Sequence, residues 1–174
     1  MLNALIAGAA ALVTMGNASA TDTQTGWDFV GYNAGEQVAI EDAASFLASA
    51  YSEDGKALVF LCNDGIGLIP FLVYEPNGDL YEQIQKRQKM FGNKVGTVTI
   101  GDKTVEDRWI EKDRFGTLQA RDKATGFALL NAAFQKKSPV FSFNRMDDIT
   151  LDLPEPDDTL MEFVQACPLT QQKK

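Results

Sequence analysis

The sequence predicts a mainly β, α+β domain: an antiparallel sandwich or sheet with two short helices, one of them C-terminal. Three observations predict it. Apolar runs are short and are separated by turn residues, as at Asn63-Asp64-Gly65 and Pro76-Asn77-Gly78. Two later stretches have helical spacing, each with an aspartate in front of it. The two cysteines of the chain, Cys62 and Cys167, close an apolar strand and an apolar helical stripe, which places strand and helix together.

Residues 1–20 stand apart from that domain. Leu2 to Met15 is apolar and uncharged, and shorter than the roughly 20 residues that a bilayer span needs. Ala18-Ser19-Ala20 then suits a signal peptidase. The expectation is a secretory signal cleaved near Ala20, with 21–174 as one periplasmic or secreted domain. The terminal amine alone supplies positive charge before the apolar run, and no cysteine lies near Ala20 to carry a lipid. No second stretch is long enough for a membrane span. Two cysteines in an exported chain read as one disulfide, Cys62 to Cys167.

In chain order, Thr21 to Gly26 reads as a polar lead-in. Trp27 to Tyr32 alternates rings with smaller residues and reads as the first strand, broken at Asn33-Ala34-Gly35. Residues 36–51 fit a helix or a strand. A strand over Ser45 to Tyr51 is preferred, because Ser52-Glu53-Asp54-Gly55 makes a tight turn and the next strand needs a neighbour. That next strand, Ala57 to Cys62, is five apolar residues and a cysteine, the pattern of a strand buried on both faces. Ile66 to Tyr74 is apolar again, and Pro70 within it suggests an edge or a bulge. Leu80 to Phe91 fits either a helix or a strand. Lys94 to Ile100 and Lys103 to Ile110, joined at Gly101-Asp102, are the clearest hairpin, and Arg114 to Ala120 reads as a further strand. Asp122 caps a helix over 123–136, with Phe127, Leu130 and Phe134 on its apolar face and Ala133 beside them. Pro139 to Phe143 and Ile149 to Leu153 are short strands. Asp157 or Asp158 caps a last helix, whose Leu160, Phe163, Val164 and Cys167 form one stripe.

Charge is unevenly spread. The net charge is −8, and residues 1–20 contribute none of it. Residues 21–55 hold seven acids and no Lys or Arg, as do residues 147–162; residues 56–137 hold ten acids and thirteen bases. This balance argues against nucleic acid and anionic membrane surfaces as partners.

The order of these features resembles a known layout. Cys62 closes an apolar strand, Arg87 and Trp109 follow, then come a helix, two strands and the apolar helix Phe163 to Cys167. The chain resembles small exported bacterial proteins of the invasion-associated locus B type and small accessory proteins tied to type VI secretion. It departs from that layout at Gln88, where an acid is expected near Arg87, and in the acidity before its last helix. The resemblance implies a periplasmic or envelope β-sandwich without catalytic residues or a cofactor.

The chemistry available is limited. The chain has no histidine, which excludes His-based triads and the commonest zinc ligand. No catalytic, cofactor-binding or metal residue is assigned. Carboxylate pairs suited to a hydrolase of envelope glycan are Glu41 with Asp42 and Glu53 with Asp54. Asp147, Asp148, Glu155, Asp157, Asp158 and Glu162 offer oxygens for calcium, but at the spacing of no calcium loop; helix capping and solvation are the simpler roles. Lys86-Arg87-Gln88-Lys89 is a small basic cluster. The leads to a protein partner are Trp27, Tyr32, Tyr74, Tyr81 and Trp109, rings near strand ends, with Arg87 and Arg108 beside them; most of the rings are expected in the core. The expectation is a non-enzymatic exported protein that binds another protein, as a secretion accessory, inhibitor or immunity factor. A glycan hydrolase and a purely structural envelope protein are the alternatives.

Overall fold

A computed structural model of the chain describes residues 26–74, 92–112 and 116–169. These form β1 (Trp27–Asn33), β2 (Glu36–Val38), β3 (Ser45–Tyr51), β4 (Ala57–Asn63), β5 (Gly67–Val73), β6 (Asn93–Ile100), β7 (Lys103–Lys112), β8 (Thr117–Ala120), β9 (Val140–Phe143) and β10 (Ile149–Thr150). The helices are α1 (Lys123–Phe134) and α2 (Asp158–Ala166). All ten strands join one antiparallel sheet in the order β10-β9-β6-β7-β8-β5-β4-β3-β1-β2. The fold is therefore the expected β-rich α+β architecture, realised as a continuous sheet. Among the described residues no helix is long and apolar enough to cross a membrane.

β4 explains why its sequence is a continuous apolar run. Successive side chains point to opposite faces of a strand. Leu58, Phe60 and Cys62 enter the main core, while Ala57, Val59 and Leu61 enter a second cluster with Leu47, Phe71 and Val73. Both faces are buried, so no polar alternation survives. The flanking strands obey the same parity: Ala48 and Leu72 face the main core, and Leu47 and Phe71 face the second cluster. β3 is indeed the partner that β4 needs, with Ala48 opposite Phe60 and Phe46 opposite Cys62.

Pro70 is a correction. It lies not on an edge strand but in β5, which has β4 on one side and β8 on the other. The β8 ladder covers only Phe71 to Val73, so Pro70 sits one residue beyond it. There α1 crosses instead, with Gly126 so close that a Cβ would lie 2.9 Å from the Leu68 carbonyl and 3.2 Å from Pro70 Cδ. A missing N–H is tolerated where one ladder has ended.

Each helix starts at its predicted cap. Asp122 accepts from Ala124 N at 2.8 Å and Asp157 accepts from Leu160 N at 2.9 Å. Leu160 and Phe163 on α2, and Cys167 at its C-cap, are fully buried. The Phe163 ring meets Phe29 edge-on at 5.8 Å and Phe60 at 6.3 Å. Cys167, just past the helix, is bonded to Cys62 with Cα atoms 5.8 Å apart. The pairing thus pins the C-terminal helix to the central strand. On α1 the buried residues are Thr125, Gly126, Leu129, Leu130, Ala132 and Ala133, whereas Phe127 is 37% exposed. The predicted face holds for Leu130, Ala133 and Phe134, which pack into the core, and fails at Phe127 alone. The helix is apolar nearly all round, and its contact with β5 and β8 decides which side is covered. The short strand β2, which pairs with β1 across Ala34-Gly35, was not foreseen. The ambiguous stretch Leu80 to Phe91 lies outside the described residues.

Candidate functional site

The site is built at the junction of β7, β8 and α1. Val105, Asp107 and Trp109 share the face of β7 that looks toward the core, so an aspartate takes a core-facing position and is only 8% exposed. A buried carboxylate needs donors, and three converge on it. Arg108 N donates to Oδ1 at 2.6 Å, Asp122 N donates to Oδ2 at 3.0 Å, and the buried Thr125 hydroxyl donates to Oδ2 at 2.7 Å. Asp107 thereby fastens the head of α1 to β7. One more backbone bond, Arg121 N to Arg108 O at 3.1 Å, carries the β7–β8 pairing past Ala120.

That framework places three cations side by side. Arg108, Arg121 and Lys123 are exposed around a shallow depression of about 540 Å³ that also includes Asp107 and Asp122. Among the described residues, none of the three side chains makes a hydrogen bond or ion pair. Lys123 runs across Gly67, where a Cβ would come within 2.8 Å of its Cε; the missing side chain leaves room for the lysine stem. Two guanidinium forks and an ammonium at a helix start suit carboxylate or phosphate groups. On a chain of net charge −8, this rim is a local reversal of sign.

The other leads are placed as follows. Trp27 is 4% exposed and stacks on Phe60 at 6.0 Å; Trp109 is fully buried and meets Phe141 at 5.7 Å and Phe143 at 5.6 Å. Their indole N–H groups find no acceptor among the described residues, so both rings serve packing. Neither tryptophan presents a ring to a partner, because strand parity turns both inward. Tyr74 is half-buried; its hydroxyl donates to Glu111 at 3.3 Å, and Glu111 also receives Lys94 at 2.7 Å. Tyr32 is half-buried against the second cluster. Tyr81 and Arg87 lie outside the described residues, as do Lys86 and Lys89. Of these leads, Arg108 belongs to the rim. Arg121 and Lys123, which share this rim, were not among the leads. Their signal was the Arg121-Asp122-Lys123 run around a helix cap, which gains meaning only once β7 pairs with β8.

The carboxylate candidates have structural positions. Glu41 and Asp42 are exposed in a single turn of 3₁₀ helix, Ile40–Asp42. Asp54 is held by the Lys56 ammonium and the Ser52 hydroxyl in the β3–β4 turn. The Lys56 bond foremost, and then the Ser52 bond, lower its pKa to about 2, the wrong direction for a general acid. Asp157 caps α2 and accepts Trp27 N at 3.2 Å, Glu155 pairs with Lys136, and Asp152 accepts from Ser138 at 2.8 Å. Among the described residues no three or more His, Cys, Asp or Glu are grouped to hold a metal. No protein-family model, curated protein or solved structure matches this chain.

Proposed function

We propose that the chain is an exported, non-catalytic domain that binds another protein in the periplasm or envelope, through the rim of Arg108, Arg121 and Lys123. The observation that carries this reading is the set of three exposed cations, without an ion pair among the described residues, grouped around the Asp107–Thr125 bond. A fixed backbone frame keeps the three charges together, and they steer an acidic patch into register. The Cys62–Cys167 bond is compatible with an oxidising compartment, and the apolar leader with its Ala18-Ser19-Ala20 ending supports export and cleavage near Ala20. The likeness in layout to the invasion-associated locus B type supports the same compartment.

The test uses tagged protein starting at Thr21 to capture partners from periplasmic and secreted fractions, beside an Arg108→Glu/Arg121→Glu variant. The expected result is one stoichiometric partner with an acidic surface, absent from the variant. Its identity then chooses between accessory, inhibitor and immunity roles. A partner held equally by both proteins places the interface elsewhere.

A further inference from the structure

In the C-terminal half of α1, about 12 Å along the axis from Lys123 to Asn131 at 1.5 Å per residue, the helix does not close on the sheet. It packs on β5 and β8 and leaves a cavity of about 250 Å³ against the tip of the β6–β7 hairpin. The helix wall is Ala128, Asn131, Ala132 and Gln135, spaced so that all four share one side. Two alanines in that stripe are what keep the space open. The hairpin wall is Ile100 and Val105, with Lys103 at the lip.

The lining divides by chemistry. Ile100 and Ala132 are buried, and Val105 and Ala128 are half-buried, so the floor is apolar. Lys103 and Lys137 stand at the mouth. Lys137 lies over Gly101, its Nζ 3.5 Å from where a Cβ would be. Among the described residues neither ammonium has a hydrogen bond or ion pair, and the Asn131 and Gln135 amides add donors beside them. A neutral apolar ligand would satisfy only the floor, and a bare anion only the mouth. The volume falls just under the roughly 300–1,000 Å³ of ordinary small-molecule sites, which limits the occupant to a short chain.

We propose that this cavity binds a medium-chain alkanoate, with its alkyl tail on Ile100, Val105, Ala128 and Ala132 and its carboxylate between Lys103 and Lys137. The site is separate from the Arg108 rim, and its occupancy does not depend on a protein partner.

The experiment is a two-dimensional ¹H–¹⁵N titration of residues 21–174 with octanoate, and in parallel with octan-1-ol, which has the same tail and no charge. The expected result is saturable shifts centred on the amides of Ile100, Val105, Ala128 and Ala132 with octanoate. Affinity falls about tenfold or more for octan-1-ol and for a Lys103→Glu/Lys137→Glu variant. Ala128→Phe fills the cavity and abolishes the shifts. Scattered or non-saturating shifts overturn the proposal, and so does equal affinity for octanoate and octan-1-ol or an unchanged affinity in the lysine variant. Should Ala128→Phe fail to fold, the lysine variant decides, since Lys103 is exposed and Lys137 only half-buried, and its dispersed spectrum reports its fold directly.

Discussion

At the scale of single residues, Asp107 is the one that joins the fold to the proposed rim. It is a carboxylate in a core-facing position, and the Arg108 amide, the Asp122 amide and the Thr125 hydroxyl together make that position tolerable. Asp107→Ala strands those donors and loosens the head of α1. Chemical denaturation should show a loss of about 1–3 kcal/mol, the usual cost of orphaned buried polar groups; an unchanged midpoint would mean that the three bonds do not hold the junction. Asp54 gives a pH prediction. Its folded pKa is lowered to about 2 from 3.8, so the ionised form is favoured by folding. Its contribution is present above the ordinary carboxylate pKa and fades as the pH falls from about 4 toward 2. The effect is small because the group is exposed. The Asp54 carboxyl resonance should titrate near 2, and Asp54→Asn should remove that part of the acid-induced loss. A midpoint near 4 would show that the Lys56 and Ser52 bonds do not persist in solution. Trp27 and Trp109 show what residue-level reading misses. Nearness to a strand end in sequence says nothing of burial, whereas the parity that sets each beside Phe60 or Phe141 says a great deal.

At the scale of elements, the disulfide is the main cross-link. It closes a separation of 105 residues, for which the chain-entropy model allows up to about 4–5 kcal/mol. Reduced protein, or Cys62→Ala/Cys167→Ala, should unfold at markedly lower denaturant, and two alkylatable thiols in the native protein would contradict the bond. Close approach supplies a second prediction. A Cβ on Gly126 meets the Leu68 carbonyl at 2.9 Å, and one on Gly96 runs into the Phe143 ring. Gly126→Ala should push α1 off β5, and Gly96→Ala should displace β9, each costing about 1–3 kcal/mol in the same denaturation assay. Much of this level was legible in the sequence. β4 announced itself because burial on both faces leaves no polar residue between Ala57 and Cys62, and both helices announced their caps. The buried side of α1 was legible in part: Leu130, Ala133 and Phe134 pack as read, whereas Phe127 does not, because a helix apolar nearly all round takes its orientation from the sheet. Pro70 was misread for a similar reason: whether a missing N–H matters depends on where the neighbouring strand ends.

At the scale of the whole molecule, the distribution of charge carries the functional account. Acid-rich stretches at residues 21–55 and 147–162 flank a mildly basic middle, and folding gathers three cations of that middle, without an ion pair among the described residues, on one junction. Only Arg108 was legible as part of a site. Arg121 and Lys123 join it through the β7–β8 ladder and the cap of α1, relations that no local pattern encodes. Binding by this rim should weaken with salt, since exposed charges are screened over about 8–10 Å at physiological ionic strength. The most direct test of the rim is the affinity of the captured partner for purified wild-type protein and for Arg108→Glu/Arg121→Glu, measured by calorimetry at low and physiological salt. The account predicts salt-sensitive binding by wild type and a loss of about tenfold or more in the variant. Equal affinity for both proteins, insensitive to salt, would contradict it.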